Sequence, residues 1–423
     1  MTVTILPGPA AGTLAAIPSK SAAHRLLIAA ALADRPTRVR FPKSSQDIEA
    51  TLRCLAGLGA GITREKDGCL VVPILPSRVP ACCELDCGES GSTLRFLAPL
   101  AGALGTKAVF RLSGRLSRRP MEPLAGQLAA HGCVLTADPE AETLTVSGRL
   151  RSGTFTLPGN VSSQFFTGLL FALPLLKEES VLLAEGELES AGYLDLTRDA
   201  LARFGVVPET LSGGWRIPPC PYRTPGTVIV EGDWSNAAPW LCMGILGGPG
   251  VSVTGLAEES LQGDRAVCRV LAGLGGEIGA ADGSVFARPR ALVPGTIDAR
   301  NIPDLVPVLA AAASVIPGET RIVNAARLRL KESDRLETTA RLLNALGGQA
   351  EETADGLILR GVPRLAGGTV DAAGDHRIVM AAAVASVLSA GPVTVTGAQA
   401  VDKSYPSFWE DLRALGKPAE AKE

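Results

Sequence analysis

Residues 295–318 read GTIDARNIPDLVPVLAAAASVIPG, and the order of residue types in them decides the fold. A short alternating run, Thr296–Asp298, gives way to a polar turn and then to an apolar stretch interrupted only by Ser314. The alternation predicts a strand, and the apolar stretch predicts a helix buried on every side rather than one with a wet face. Five other segments repeat this grammar: GTLAAIPSKSAAHRLLIAAALA (12–33), CCELDCGESGSTLRFLAPLAGALG (82–105), GTFTLPGNVSSQFFTGLLFALPLL (153–176), GTVIVEGDWSNAAPWLCMGILGG (226–248) and GTVDAAGDHRIVMAAAVASVLSAG (368–391). They recur about every 70 residues, a self-similarity too long for a solenoid and diagnostic of a repeated fold unit.

A second marker keeps the same beat. Amphipathic helices end at Gly59, Gly132, Gly205, Gly275, Gly347 and Gly416, each glycine suited to a left-handed C′ position. In LETTARLLNALGG (336–348), for example, Leu336, Ala340, Leu343 and Leu346 form one apolar stripe. Strand–turn–strand patterns follow most of these glycines, as in ITREKDGCLVVP (62–73) and AEETADGLILRG (350–361). The unit therefore reads βαβαββ, six times over. One such unit cannot cover both faces of its sheet, so the expected division is three per domain. The boundaries expected are a discontinuous domain, 1–19 plus 231–423, and a continuous one, 20–230. The sixth unit lacks its strand pair, and TVTIL (2–6) is the candidate for a missing strand. The residues from Lys417 read as a short charged tail.

Composition narrows the function classes. Of 423 residues 46% are hydrophobic, which excludes a disordered chain, and a formal charge of −2 gives no bulk attraction to nucleic acid or anionic lipid. Any bound anion must be held by a local cluster. Nine cysteines without a paired metal spacing, and only His24, His131 and His376, argue against a zinc site and for free thiols in a reducing cytoplasm. MTVTILPGPA has neither a basic n-region nor a long apolar h-region, and no apolar run reaches the roughly 18 residues of a membrane span. The expectation is a cytoplasmic monomer without nucleic-acid or membrane partners.

Cations stand where helices disfavour them. A helix N-terminus carries partial positive charge, so acids belong there. Yet Lys20 and Arg25 open the first buried helix, with Ser19 or Ser21 as N-cap, and Arg95 follows the turn GESGST. Lys331 and Arg335 bracket a helix start in RLKESDRLE (329–337), Arg377 follows Ala373-Gly374-Asp375, and Lys403 precedes YPSFWEDL. Two like charges about 6 Å apart repel by roughly 3 kcal/mol at an effective dielectric near 20. A cluster recurring in register with the repeat therefore calls for an anion, which helix N–H groups, serine hydroxyls and Lys/Arg together bind. No Walker motif is present, so a nucleotide cradle is not supported. Ser162, Ser163 and Gln164 open another buried helix and offer neutral donors; Gly91 either satisfies a turn or lets a small anion approach the backbone. Two acids lie among the bases. Asp304 reads as a plain N-cap or a catalytic carboxylate, and Glu332 as a surface ion pair or a proton carrier.

These stretches resemble the 5-enolpyruvylshikimate-3-phosphate synthase family, the 3-phosphoshikimate 1-carboxyvinyltransferases. The resemblance runs over essentially the whole chain: PSKSAAHR, ESGSTLR, SRRPMEPL, SSQFF, EGDWSNAA, NIPD, KESDRLE, GDHR and DKSYPSFWEDLRALG occur in family order. It implies a two-domain inverted α/β prism with three βαβαββ units per domain around a pseudo-threefold axis, closing on substrate in the cleft between domains. It also implies transfer of the enolpyruvyl group of phosphoenolpyruvate to the 5-hydroxyl of shikimate 3-phosphate, in chorismate and aromatic amino acid biosynthesis. The route is a tetrahedral intermediate that loses phosphate, with no metal or cofactor.

By resemblance, Lys20, Gly91, Arg119, Arg335, Arg377 and Lys403 hold phosphoenolpyruvate. Ser21, Arg25, Ser162, Ser163, Ser190 and Tyr193 hold shikimate 3-phosphate, as do Arg327 and Lys331, and Gln164 touches both substrates. Asp304 is the base for the attacking hydroxyl, and Glu332, with Lys20, relays the proton to and from the methylene carbon. Two positions depart from the family pattern: Glu89 stands where Asn is common, and Arg327 where some members have Asn. Gly91 leaves room for the family inhibitor glyphosate, while Glu89 either sets a carboxylate beside that pocket, weakening anion affinity, or points away from it. The alternative is the sister carboxyvinyltransferase acting on UDP-N-acetylglucosamine, whose mobile loop carries a Cys; the corresponding RLSGRLSRRPMEPL (111–124) has none. A non-catalytic anion-binding module is the rival of another class, and gains nothing from Asp304 and Glu332.

Overall fold

The computed structural model describes residues 1–422. The chain divides into two compact units, one made of Met1–Ile17 with Glu231–Glu423 and the other of Pro18–Val230. They are called here the discontinuous and the continuous unit. Each has its own apolar core.

Among the described residues there are six four-stranded sheets, three in each unit, and all share one strand order. The sheet of residues 82–148 shows the rule. Cys82–Gly88 runs parallel to Lys107–Leu112, which pairs antiparallel with Thr143–Gly148, which in turn pairs antiparallel with Cys133–Asp138. The parallel pair is joined through a helix, as such pairs must be, and the antiparallel pair is a hairpin. The crossover helices are the apolar stretches of the sequence. Every residue of Val306–Ala313 and of Trp234–Leu246 is buried, as are all ten of His376–Ala385. The second helix of each unit is amphipathic and stops at a glycine. Gly59, Gly132, Gly205, Gly275, Gly347 and Gly416 all take positive φ, from 78° to 106°, as the C′ position requires.

Two features depart from a simple string of repeats. The strand Gly12–Ala15 pairs in parallel with Val251–Thr254, whereas Thr227–Ile229 pairs in parallel with Thr37–Arg40. The first and fourth repeats have therefore exchanged their leading strands. The sixth sheet is closed by Thr2–Ile5, which lies between Val393–Thr396 and Ala419–Lys422 and is antiparallel to both. Ala419–Lys422, within the stretch expected as a tail, is thus an edge strand. Lys417 itself is buried and its Nζ donates to the carbonyls of Leu6 and Gly8, tying the two chain segments together.

Candidate active site

In the discontinuous unit the helix starts converge on one arginine. Asp334 caps the helix Arg335–Ala345, its Oδ1 accepting from the amides of Leu336 and Glu337. Glu337 does not complete a capping box; its carboxylate accepts from Arg341 one turn on. Arg335, only 1% exposed, is surrounded by three carboxylates. Its Nε and Nη2 donate to Asp375 at 2.8 and 3.3 Å, Nη1 donates to Asp304 at 2.7 Å, and Nη2 donates to Glu332 at 3.0 Å. Asp375 has no exposed side-chain surface; it also accepts from Ser333 Oγ and caps His376–Ala385 through the Arg377 amide.

Three more cations complete the cluster. Lys331 Nζ lies 3.5 Å from Asp304 and Lys403 Nζ 3.3 Å from Glu332. Arg377 Nη2 lies 4.0 Å from Asp304, while the same guanidinium donates to the Ser235 carbonyl, Ser235 Oγ and Asn236 Oδ1. Four cations thus face three carboxylates, a surplus of positive charge suited to an added anion. Asp304 is not an N-cap: Pro303–Leu305 forms a 3₁₀ turn, and Leu305 precedes the helix without a side-chain cap. Glu332 is not a surface pair either, being 14% exposed between Arg335 and Lys403.

The electrostatics follow from this crowding. Burial raises the Asp304 carboxyl, but Lys331, Arg335 and Arg377 outweigh it and hold it well below the usual carboxylate range. Burial lowers the Lys331 ammonium and outweighs the pull of Asp304, with Arg335 and Arg327 lowering it further. For Arg335 burial works against the charge, and Asp375, Glu332 and Asp304 more than offset it. Arg327 sits in the 3₁₀ turn Ala326–Leu330 and donates to the Arg300 carbonyl.

The continuous unit builds a second cluster from helix starts. Ser19 caps Lys20–Leu32, accepting from the Ala22 amide, and Lys20 Nζ is 2.8 Å from Asp47. Arg25 is buried and largely engaged by protein: it donates to Thr197 Oγ1, to the carbonyls of Ser21 and Tyr193, and weakly to Thr167 Oγ1. Burial brings its pKa down to about 10, with Tyr193 acting in the opposite sense. Gln164 is held at both ends of its amide, accepting from Arg95 Nη1 at 2.8 Å and donating to Ser92 Oγ at 3.0 Å. Ser162 caps the helix that begins at Ser163, accepting from the Gln164 amide. Ser190 is buried in the left-handed conformation (φ 57°, ψ 40°) with no side-chain cap bond, and the Tyr193 amide donates to its carbonyl. Such backbone is costly for a non-glycine residue and clusters at functional sites.

Gly91 is the first residue of the helix Gly91–Leu104 and its φ is not positive, so no turn requires it to be glycine. What it supplies is space: a Cβ there would stand 2.9 Å from Arg119 Nη1 and 3.2 Å from Arg95 Nη1. Glu89 lies with its carboxylate against Gly114, in the turn that leads to Arg119. Among the described residues no group of three or more His, Cys, Asp or Glu is placed to hold a metal ion, and no helix is long and apolar enough to cross a membrane.

A family model for EPSP synthase (3-phosphoshikimate 1-carboxyvinyltransferase) matches residues 6–412. The chain belongs to the EPSP synthase family. The 3-phosphoshikimate 1-carboxyvinyltransferase of Clostridium kluyveri is 41% identical over 417 residues, covering 98% of this chain and 97% of the relative. That of Clostridium acetobutylicum is 39% identical and covers 94% of each. The solved EPSP synthase from Acinetobacter baumannii superposes with a TM-score of 0.81 at 25% identity over 100% of both chains. The mixed α/β fold of six repeats is thus that of EPSP synthase.

The residues that resemblance to EPSP synthase singled out fall into two groups by unit. Asp304, Lys331, Glu332, Arg335, Arg377 and Lys403 form one charged network, with Arg327 beside Lys331. Lys20, Ser21, Arg25, Gly91, Arg119, Ser162, Ser163, Gln164, Ser190 and Tyr193 all lie in the continuous unit. Sequence reasoning missed the residues that hold these in place. Arg95, Asp375 and the Ser235–Asn236 pair lie inside the stretches ESGSTLR, GDHR and EGDWSNAA but were given no role, and Asp47 lies outside every quoted stretch. For Arg95, Asp375 and Ser235–Asn236 the signal was a polar residue at the start of an otherwise apolar helix; Asp47, on the amphipathic helix Gln46–Gly57, gave none.

Proposed function

We infer that this chain transfers the carboxyvinyl group of phosphoenolpyruvate to shikimate 3-phosphate with release of phosphate, the activity its family is named for. The observation that carries the residue-level reading is Asp304 pinned beneath Lys331, Arg335 and Arg377. In the ligand-free chain those cations keep its carboxylate a weak base. A bound phosphate or carboxylate draws them away, so Asp304 gains basicity only when substrate is in place. It then accepts the proton of the attacking 5-hydroxyl.

Glu332, with cations on both flanks, delivers a proton to the methylene carbon on addition and removes it on elimination, together with Lys20. Arg335, Arg377, Lys403, Lys20, Gly91 and Arg119 are assigned to phosphoenolpyruvate, with fixed cations offsetting the charge that develops on the leaving phosphate. Ser21, Arg25, Ser162, Ser163, Ser190, Tyr193, Arg327 and Lys331 are assigned to shikimate 3-phosphate, and Gln164 to both. The Arg25 role is chiefly one of position, because most of its donors already hold Ser21, Tyr193 and Thr197.

Phosphate release from phosphoenolpyruvate tests the reading in three arms: with shikimate 3-phosphate, with UDP-N-acetylglucosamine, and with neither acceptor. Release only in the first arm is expected. Release only with the UDP-sugar would assign the chain to the sister reaction, and release in no arm would leave an anion-binding protein.

A further inference from the structure

Four side chains of the continuous unit, none assigned to substrate, form one unbroken line of hydrogen bonds. His24 Nδ1 lies 2.7 Å from Thr51 Oγ1, Thr51 Oγ1 lies 2.7 Å from Thr93 Oγ1, and Thr93 Oγ1 donates to Ser90 Oγ at 2.7 Å. All four residues are 0% exposed.

The line has a direction. Thr93 gives its only hydroxyl proton to Ser90, so it must accept from Thr51; Thr51, its proton spent, must accept from His24. The imidazole proton is therefore on Nδ1. Nε2 is left bare, and it has no partner among the described residues. Burial pushes the ring's pKa down to about 3, outweighing the attraction of Asp47, with Lys20 and Arg25 acting in the same sense as burial. The line fixes the Nδ1 proton, and burial keeps a second proton off Nε2.

The line also joins the right elements. His24 lies one turn beyond Lys20 on the helix Lys20–Leu32, and Thr51 one turn beyond Asp47 on the helix Gln46–Gly57. The Lys20–Asp47 ion pair and the His24–Thr51 bond are thus successive rungs between the same two helices. From Thr51 the line crosses to Thr93 and Ser90, which enclose the first turn of Gly91–Leu104; Ser90 is its N-cap. Gly91 lies immediately beyond that cap.

We propose that His24, Thr51 and Thr93 form a positioning relay that fixes the Ser90–Gly91 turn relative to Lys20, and thereby sets the affinity for phosphoenolpyruvate. This rests on the reading of Lys20 and Gly91 as phosphoenolpyruvate contacts. Three short bonds in series leave little freedom between the two contacts, and small misplacements of binding groups are costly.

Thr51→Val preserves shape but breaks the line at its centre, whereas Thr51→Ser keeps the hydroxyl. The expected result for Thr51→Val is a KM for phosphoenolpyruvate raised about tenfold, with kcat and the KM for shikimate 3-phosphate within about twofold of wild type. Thr51→Ser restores the wild-type KM. An unchanged KM in Thr51→Val, or a Thr51→Ser protein no better than Thr51→Val, overturns the relay. Because Thr51→Val removes a buried partner and can fail to fold, the wild-type chain is also labelled with ¹⁵N-histidine. Only three histidines are present, and His24 should show Nδ1–H with a bare Nε2 from pH 8 down to about 5. An Nε2–H tautomer with a bare Nδ1 in that range overturns the proposal. If wild-type protein releases no phosphate with shikimate 3-phosphate, it is the functional reading that fails, and the tautomer still decides the line.

Discussion

Replacing Asp375 by Asn isolates the charge that anchors Arg335. Asp375 is wholly buried and meets the Arg335 guanidinium twice, at 2.8 and 3.3 Å. At an effective dielectric near 20, opposite charges about 4 Å apart attract by roughly 4 kcal/mol, and breaking a buried pair typically costs about 3–5 kcal/mol. Asn retains the helix cap on the Arg377 amide, worth about 1 kcal/mol, and one acceptor for Arg335. Arg335 also keeps Asp304 and Glu332, so it is not orphaned. The expected destabilisation of the discontinuous unit is therefore about 3 kcal/mol. Urea unfolding followed by tryptophan fluorescence reads it, since Trp234, Trp240 and Trp409 lie in that unit and only Trp215 in the other. At a slope of about 3 kcal/mol per molar the midpoint should fall by about 1 M. A loss below about 1 kcal/mol would refute the reasoning, because it would mean that Asp304 and Glu332 suffice to hold Arg335.

Three further outcomes are expected. Glu332→Gln should keep substrate binding by calorimetry yet lose about 10²–10⁴-fold in kcat, the usual worth of an acid–base group; an unchanged kcat removes Glu332 from the proton path. Gly91→Ala should push Arg119 and Arg95 aside, raising the KM for phosphoenolpyruvate and, more steeply, the inhibition constant of glyphosate; equal inhibition constants for wild type and variant would sink the idea. His24 has its pKa lowered to about 3 in the folded chain, so between about pH 6.5 and 3 only the unfolded state takes up the proton. Stability should fall as pH falls through that window, by up to about 1.4 kcal/mol per unit from this group. His24→Asn should flatten that part of the profile measured by urea midpoints, and a profile with the same slope would count against it.

Much of this molecule was legible because its repeat acts locally. The buried helices and the six glycine stops needed only periodicity and a conformational rule, and each glycine does take positive φ. The cations were visible because a lysine or arginine at a helix start contradicts the helix dipole. What stayed hidden depends on partners far along the chain. Asp375 meets Arg335 across 40 positions and Asp47 meets Lys20 across 27, and no local pattern links them. The expected boundaries already put Gly12–Ala15 with 231–423 and Thr227–Ile229 with 20–230, but which sheet each strand joins stayed open, because the repeats are so alike that a leading strand suits any of them. The closing strand Ala419–Lys422 was misread as a tail although Ala-Glu-Ala-Lys alternates as a strand should, because charge outweighed period in the reading. At Asp304, the N-cap reading failed since the chain enters that helix through a 3₁₀ turn begun by Pro303.

The position of Thr2–Ile5 has a consequence for how the protein is made. This strand is synthesised long before its partners, for it lies inside a sheet whose other members begin at Gly368, Val393 and Ala419. Pro18–Val230, by contrast, leaves the ribosome as one uninterrupted run and has every partner it needs by the time Val230 emerges. Vectorial synthesis therefore lets the second-starting unit finish first, while a strand bearing the apolar Val3 and Ile5 waits with open edges until Val393–Thr396 and Ala419–Lys422 emerge. During that wait its unpaired edges are open to pairing with other chains, which gives chaperones something to shield.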